Sequence, residues 1–195
     1  MIQVKKISAE YVHGRMPNHE KIKQNLVDQI RAARCHNIDD VDERVTFTDL
    51  RLKNEYRPWI DTFYKEIDPF MNAFAKQYMH VNYRIGNCWF MRYMKGDFSD
   101  WHTHSNCMWA NVYFLKLPSP EMKTSFLNFG DRTFVPISDI KEGDIISFPS
   151  TLIHCSKPNP FDDDKIVIAF NSDFEYSEVH THIRARSLSP LSSTG

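Results

Sequence analysis

The periodicity of this 195-residue chain changes at His80, and that change constrains the fold more than any other feature. Before it, apolar residues recur at helical spacing. After it, they come in short runs rich in β-branched and aromatic residues, the pattern of strands. The runs are 81–85, 88–94, 100–104, 108–116, 124–128, 133–137, 145–148, 152–155, 165–171 and 179–184. Turn chemistry separates them, as in Lys95-Gly96-Asp97, Leu117-Pro-Ser-Pro120, Lys141-Glu-Gly-Asp144 and Pro158-Asn-Pro160. Many short strands at such spacing predict an all-β core of double-sheet type, a jelly roll (double-stranded β-helix) or barrel.

The N-terminal part predicts two helices packed on one outer face of that core. Residues 18–34 carry Ile22, Leu26, Val27, Ile30 and Ala33 on one stripe, with Asn18 placed to cap the start. Residues 57–79 carry Trp59, Ile60, Phe63, Ile67, Phe70, Met71 and Phe74. Pro58 suits the first turn, and Pro69 is a candidate kink. Ile2 to Val4 reads as a short strand, residues 37–53 as a polar loop with an extended piece at Val45 to Thr48, and 187–195 as a flexible tail. The expectation is one domain over 1–186, helical to about residue 80 and jelly roll over 81–186. The chain shows no internal repeat.

Composition narrows the class. Hydrophobic residues make up 42% and aromatics 13%, enough for an ordinary core. A net charge of −1 gives no reason to expect a nucleic-acid surface. Cys35, Cys88, Cys107 and Cys155 form no Cys-x-x-Cys pair, which predicts free thiols in a reducing compartment. The first residues lack the apolar stretch of a signal peptide, and no apolar run approaches the ~20 residues of a membrane span. The expectation is a cytoplasmic protein without membrane contact.

The histidines carry the chemistry. His102 and His104 share one side of a strand if the segment is extended. Alone, such a pair on a strand usually signifies nothing. Here it succeeds Tyr93-x-x-Gly96, leads into the apolar Met108-Trp-Ala-Asn-Val-Tyr-Phe-Leu, and is answered by His154 after Asp144-Ile-Ile-Ser-Phe-Pro. Three imidazoles on one side of a metal leave coordination positions open, which catalytic metal sites need and closed structural sites lack. Asp100 shares parity with the pair and is the alternative third ligand should His104 be a bystander. His13, His19, His36 and His80 fall in polar loops or at helix ends and read as surface or capping residues. Glu178 with His180 and His182 reads as an exposed edge strand.

At these residues the chain resembles the iron(II)/2-oxoglutarate-dependent dioxygenases, particularly the prolyl-4-hydroxylase-like branch. That branch carries Tyr-x-x-Gly, then His-x-Asp, then Gly-Asp-x-x-x-Phe-Pro leading to His. Tyr93, Gly96 and His102 fall in register, Gly143 to His154 is similar to the distal element, and His104 stands where the aspartate is expected. A group of 2-oxoglutarate oxygenase-like proteins found largely in marine bacteria and their phages is more similar still. It carries His-x-His, and its strand ending in Phe-Asn resembles Lys165-Ile-Val-Ile-Ala-Phe-Asn171. The resemblance covers roughly residues 80–172. It implies that His102, His104 and His154 bind Fe(II), and that Lys165, with Tyr93, holds the distal carboxylate of 2-oxoglutarate. It also implies hydroxylation of a protein side chain or small molecule, with release of succinate and CO2. Val167 stands where a Ser or Thr often helps hold the cosubstrate. Because three histidines bring no negative charge, the dianionic cosubstrate must supply it, so iron binding is expected to be weak without it.

Two other readings stay open. One is a cupin-type jelly-roll metalloenzyme that does not use 2-oxoglutarate, although the glutamate that usually comes after a cupin histidine pair is missing after His104. The other is a non-catalytic jelly-roll binding protein. The substrate, the native metal and the oligomeric state are not written in the sequence.

Overall fold

A computed structural model describes residues 9–175 apart from 53, 129, 131 and 138. In chain order the elements are β1 (Val12–Arg15), α1 (His19–Ala32), β2 (His36–Asp39), β3 (Glu43–Thr48), α2 (Pro58–Gln77), β4 (Asn82–Tyr93), β5 (Phe98–His102) and β6 (Trp109–Lys116). A 3-10 turn at Pro120–Met122 precedes β7 (Ser125–Leu127), β8 (Phe134–Val135), β9 (Asp144–Pro149), β10 (Ile153–Ser156) and β11 (Lys165–Glu175).

Every strand pairing is antiparallel, and the strands run in the order β1-β9-β6-β11-β4-β3-β5-β10-β7-β8, with β2 on β3. The run β9-β6-β11-β4 is one layer of a jelly roll and β5-β10-β7-β8 the other. β3 joins them, because Phe47 and Thr48 pair with β4 while Glu43 and Arg44 pair with β5. The expected jelly-roll core with N-terminal helices is therefore the observed fold. Residues 81–85 and 88–94, read as two runs, are one long strand. β1 and β2 were not anticipated. The expected strands at 2–4 and 179–184, and the tail 187–195, lie outside the described residues.

The helices cover one face of the first layer. α2 presents Trp59, Phe63, Ile67, Met71 and Phe74, all at or below 3% exposure, to Phe90, Tyr113, Ile168 and Phe170. Each such side chain contributes about 1.5–3 kcal/mol by leaving water. The helix continues through Pro69, which is exposed, so the apolar stripe on the opposite side is unbroken. Asn18 stands at the start of α1 but makes no side-chain cap. Its amide instead donates to Glu66 of α2 at 2.8 Å. Trp109 packs in this helix-side core, 4.9 Å from the Phe74 ring.

Strand alternation gives the sheet a second, distinct face. Trp89, Met91 and Tyr93 of β4, Phe114 of β6, Phe148 of β9 and Val167 of β11 turn into the space between the layers. The two layers do not fill that space, and a cavity of about 850 Å³ remains.

Candidate metal centre

The loop before β5 fixes the entry to the site. Gly96 has φ +83, a left-handed conformation, and a Cβ there would approach Arg44 Nη2 to 2.9 Å. Its amide donates to the Asn159 carbonyl at 2.7 Å, and Asn159 Nδ2 donates to the Tyr93 carbonyl at 3.0 Å. Asp97, buried, accepts from the Thr46 and Met94 amides at 2.8 and 2.9 Å. The Tyr93-x-x-Gly96 turn is thus tied to the loop that delivers Lys165.

β5 then carries His102 opposite His154 of β10 in the ladder, and His104 comes just past the strand end. One ring nitrogen from each of the three lies within 4.8 Å of the other two. Their ring centroids are 4.3 to 5.3 Å apart. His102 Nδ1 donates to the Asp100 carbonyl at 2.7 Å and His154 Nδ1 to the Leu152 carbonyl at 2.9 Å. A carbonyl only accepts, so Nδ1 carries the proton in both. His104 Nδ1 meets Asn171 Oδ1 at 3.0 Å. On all three rings the nitrogen left free is Nε2. Burial, reinforced by the neighbouring His102, pushes His154 down to about 3 and His104 down to about 4, so both are neutral near pH 7. Neutral imidazoles with their second nitrogen hydrogen-bonded are what a divalent cation requires of histidine ligands.

His102, Asp42 and Asp100 stand at the exposed rim of the cavity, and Tyr93 and Lys165 at its buried part. Lys165 is 2% exposed and pairs with Tyr93 in the β11–β4 ladder. Its Nζ donates to Ser156 Oγ at 2.9 Å and lies 4.9 Å from the Tyr93 ring centroid. Among the described residues no carboxylate forms an ion pair with it. The acidic run beside it is engaged elsewhere: Asp162 by Lys95, Asp163 by Lys116, and Asp164 by Arg31, Arg92 and Lys116. Burial pushes Lys165 down to about 7. The Tyr93 hydroxyl, raised by the same burial because its charged form is the anion, bonds Ser99 Oγ at 3.0 Å, and Ser99 donates to Glu43 at 2.7 Å.

The structure brings His102, His104, His154, Tyr93 and Lys165 to one cavity. The carboxylate of Asp100 is not part of the histidine cluster; it accepts from the Trp101 amide at 2.7 Å. His19 is a correction to the surface reading. It is 2% exposed, with Nδ1 2.7 Å from the Tyr113 hydroxyl, because the first turn of α1 lies against β6. Asn111 is a core amide whose Nδ2 donates to the Phe170 carbonyl at 2.9 Å. Sequence reasoning missed Asn171 and Trp89. Asn171 has the parity of Lys165 along β11, a signal that was available. Trp89 stacks 6.0 Å from the His104 ring, and no local pattern announced that contact. All four cysteines are free. No helix among the described residues is long and apolar enough to cross a membrane.

No family model matches the chain, and no curated protein matches it. Solved structures do. A Pseudomonas putida prolyl-4-hydroxylase is 11% identical, covering 87% of this chain and 94% of its own, with TM-score 0.60. The viral collagen prolyl hydroxylase of Paramecium Bursaria Chlorella virus-1, as its 2OG complex, is 14% identical over 83% of this chain and 94% of its own, TM-score 0.52. The epimerase SnoN, in complex with Fe3+, alpha-ketoglutarate and nogalamycin RO, is 12% identical over 95% of this chain and 86% of its own, TM-score 0.62. Identities this low speak to the fold alone, and the fold that this chain shares with the three proteins is the jelly roll described above.

Proposed function

We propose that this protein is an iron(II)/2-oxoglutarate-dependent oxygenase that hydroxylates a C–H bond of a protein side chain or small molecule. One observation carries the reading: three imidazoles, each with Nδ1 hydrogen-bonded, bring one ring nitrogen apiece within 4.8 Å of the others in a cavity whose buried part presents a lysine that, among the described residues, has no carboxylate of its own.

The donor set fits the metal. Imidazole is a good ligand for Fe(II), and a one-sided set of three leaves room for a chelating cosubstrate. When bound, iron would supply the oxygen chemistry that couples decarboxylation of 2-oxoglutarate to substrate oxidation. The protein's share is positional. Lys165 attracts the distal carboxylate, and there a charge-assisted bond in a dry pocket is stronger than in water. Tyr93 offers its ring to the ammonium and holds Ser99 in place. Val167, 3% exposed, contributes an apolar wall without a hydroxyl.

Succinate formation from 2-oxoglutarate, monitored by NMR with Fe(II), oxygen and ascorbate, tests the cosubstrate half without knowledge of the substrate. The expected result is slow turnover that requires Fe(II) and disappears in His154→Ala. No succinate, and no thermal shift by 2-oxoglutarate in the presence of Mn(II), would overturn the proposal. A shift by metal alone, unaffected by 2-oxoglutarate, would point to the cupin-type reading, which gives Lys165 no task.

A further inference from the structure

We infer that Asn171 is a positioning residue for His104, and that this one side chain sets how tightly the histidine cluster holds a metal. The inference rests on the metal-binding reading above.

The three imidazoles are not held alike. His102 and His154 each bond a main-chain carbonyl two residues upstream, an arrangement of the local backbone that is insensitive to the identity of the residue supplying the carbonyl. His104 lies beyond the end of β5. Its own amide is tied to the Ser150 carbonyl at 2.9 Å, and its ring is oriented by a side chain from another strand, Asn171, at 3.0 Å. The indole of Trp89 lies against the ring face, 6.0 Å between centroids and 23° from parallel. One contact fixes the ring edge, the other its plane.

Three features of β11 place Asn171 there. It shares the cavity-facing parity of Lys165, Val167 and Ala169. It is 8% exposed, so its amide is shielded from competing water. The register with β4 jumps from Phe170↔Cys88 to Ser172↔Ile85, so β4 carries the extra residue opposite Asn171 while β11 keeps its alternation through that position. The amide oxygen accepts the Nδ1 proton and so leaves the Nε2 lone pair available to a metal. It does this without charge. A carboxylate in the same place would make the bond charge-assisted and return the negative charge that an all-histidine set lacks.

Anaerobic titration with Co(II), read by its visible spectrum and by calorimetry with and without 2-oxoglutarate, tests this on wild type, Asn171→Leu, Asn171→Ser and Asn171→Asp. Leucine keeps the branched shape and removes the acceptor, and serine falls short of the ring. Both are expected to weaken Co(II) binding about 10–100-fold, the usual cost of losing an outer partner of a histidine ligand. Aspartate is expected to restore binding to the wild-type level or tighter, and to reduce the factor by which 2-oxoglutarate tightens the metal. Thermal denaturation of the metal-free variants reports folding, and if the leucine variant is unfolded the serine variant carries the comparison. Wild type that binds no Co(II) would overturn the metal reading itself. Wild type that binds, with leucine and serine variants within twofold of it, or with aspartate as weak as leucine, would overturn the role of Asn171 alone.

Discussion

The two faces of β11 use one backbone for opposite purposes. Toward the helices it presents Ile166, Ile168 and Phe170, each fully buried among the aromatics of α2 and β6. Toward the cavity it presents Lys165, Val167, Ala169 and Asn171, also buried, but including an ammonium and an amide. On the first face the gain is area removed from water and close packing. On the second, a charge is held away from solvent with one hydroxyl as partner, which costs stability unless a ligand arrives. Exposure does not distinguish the two faces; the chemistry of what is buried does.

Substitutions on the two faces break the comparison in different currencies. The largest effect belongs to the cavity side. His154→Ala removes a candidate ligand from between Phe148 and the other two rings, and is expected to lower metal affinity by more than the ~10–100-fold cost of an outer partner. Equilibrium dialysis with Fe(II) or Mn(II) measures it, and unchanged metal retention would remove the basis for the site. On the helix side, Phe170→Ala leaves a hole beside Phe63, 5.4 Å away between ring centroids, and should cost about 3–5 kcal/mol in urea unfolding.

Lys165 sharpens the contrast because stability and binding should move in opposite directions. Lys165→Met replaces a buried unpaired ammonium with an apolar chain of similar length. The ligand-free protein should resist urea as well as wild type or better, while its affinity for 2-oxoglutarate collapses. The pH dependence has a defined sign. Lys165 sits at about 7 folded against 10.5 for the ordinary side chain, so between those values the unfolded chain binds more protons. Ligand-free stability should therefore rise with pH across that window, and the rise should flatten in Lys165→Met. Affinity for 2-oxoglutarate should fall as pH climbs above about 7, and in Lys165→Arg, which stays charged, any fall should be smaller. The mildest change is Val167→Thr. One added hydroxyl facing the cavity is worth about 1 kcal/mol, about fivefold, in cosubstrate affinity, read by calorimetry.

Much of this was legible without coordinates. The period change at His80 located the sheet, and the stripes on residues 18–34 and 57–79 located both helices within two residues. His102, His104 and His154 stand out by their spacing and by the apolar strand that the first two lead into, and they do converge. Other features were not legible for stateable reasons. β1 and β2 are four residues each, too short for a period to emerge, and they exist because β9 and β3 offer them ladders. His19 looked like a helix-end surface residue, and only the docking of α1 on β6 buries it. The acidic run Asp162-Asp-Asp164 gives no sign that the next residue is a buried cation. Alternation turns Asp164 to the helix side, where Arg31, Arg92 and Lys116 meet it, and Lys165 to the cavity, which only a placed strand can show.

By itself, then, the sequence determined the alternation that gives each strand two chemistries and the positions where imidazoles and a cation fall. These are local properties of side-chain order and of a backbone with period two. The tertiary structure alone decided that Asn171 and Trp89 clamp His104, and that Lys165 faces a hydroxyl and an aromatic ring in place of a carboxylate. Those relations join residues from different elements, and the pairing of strands, not the order of neighbours along the chain, sets the distances between them.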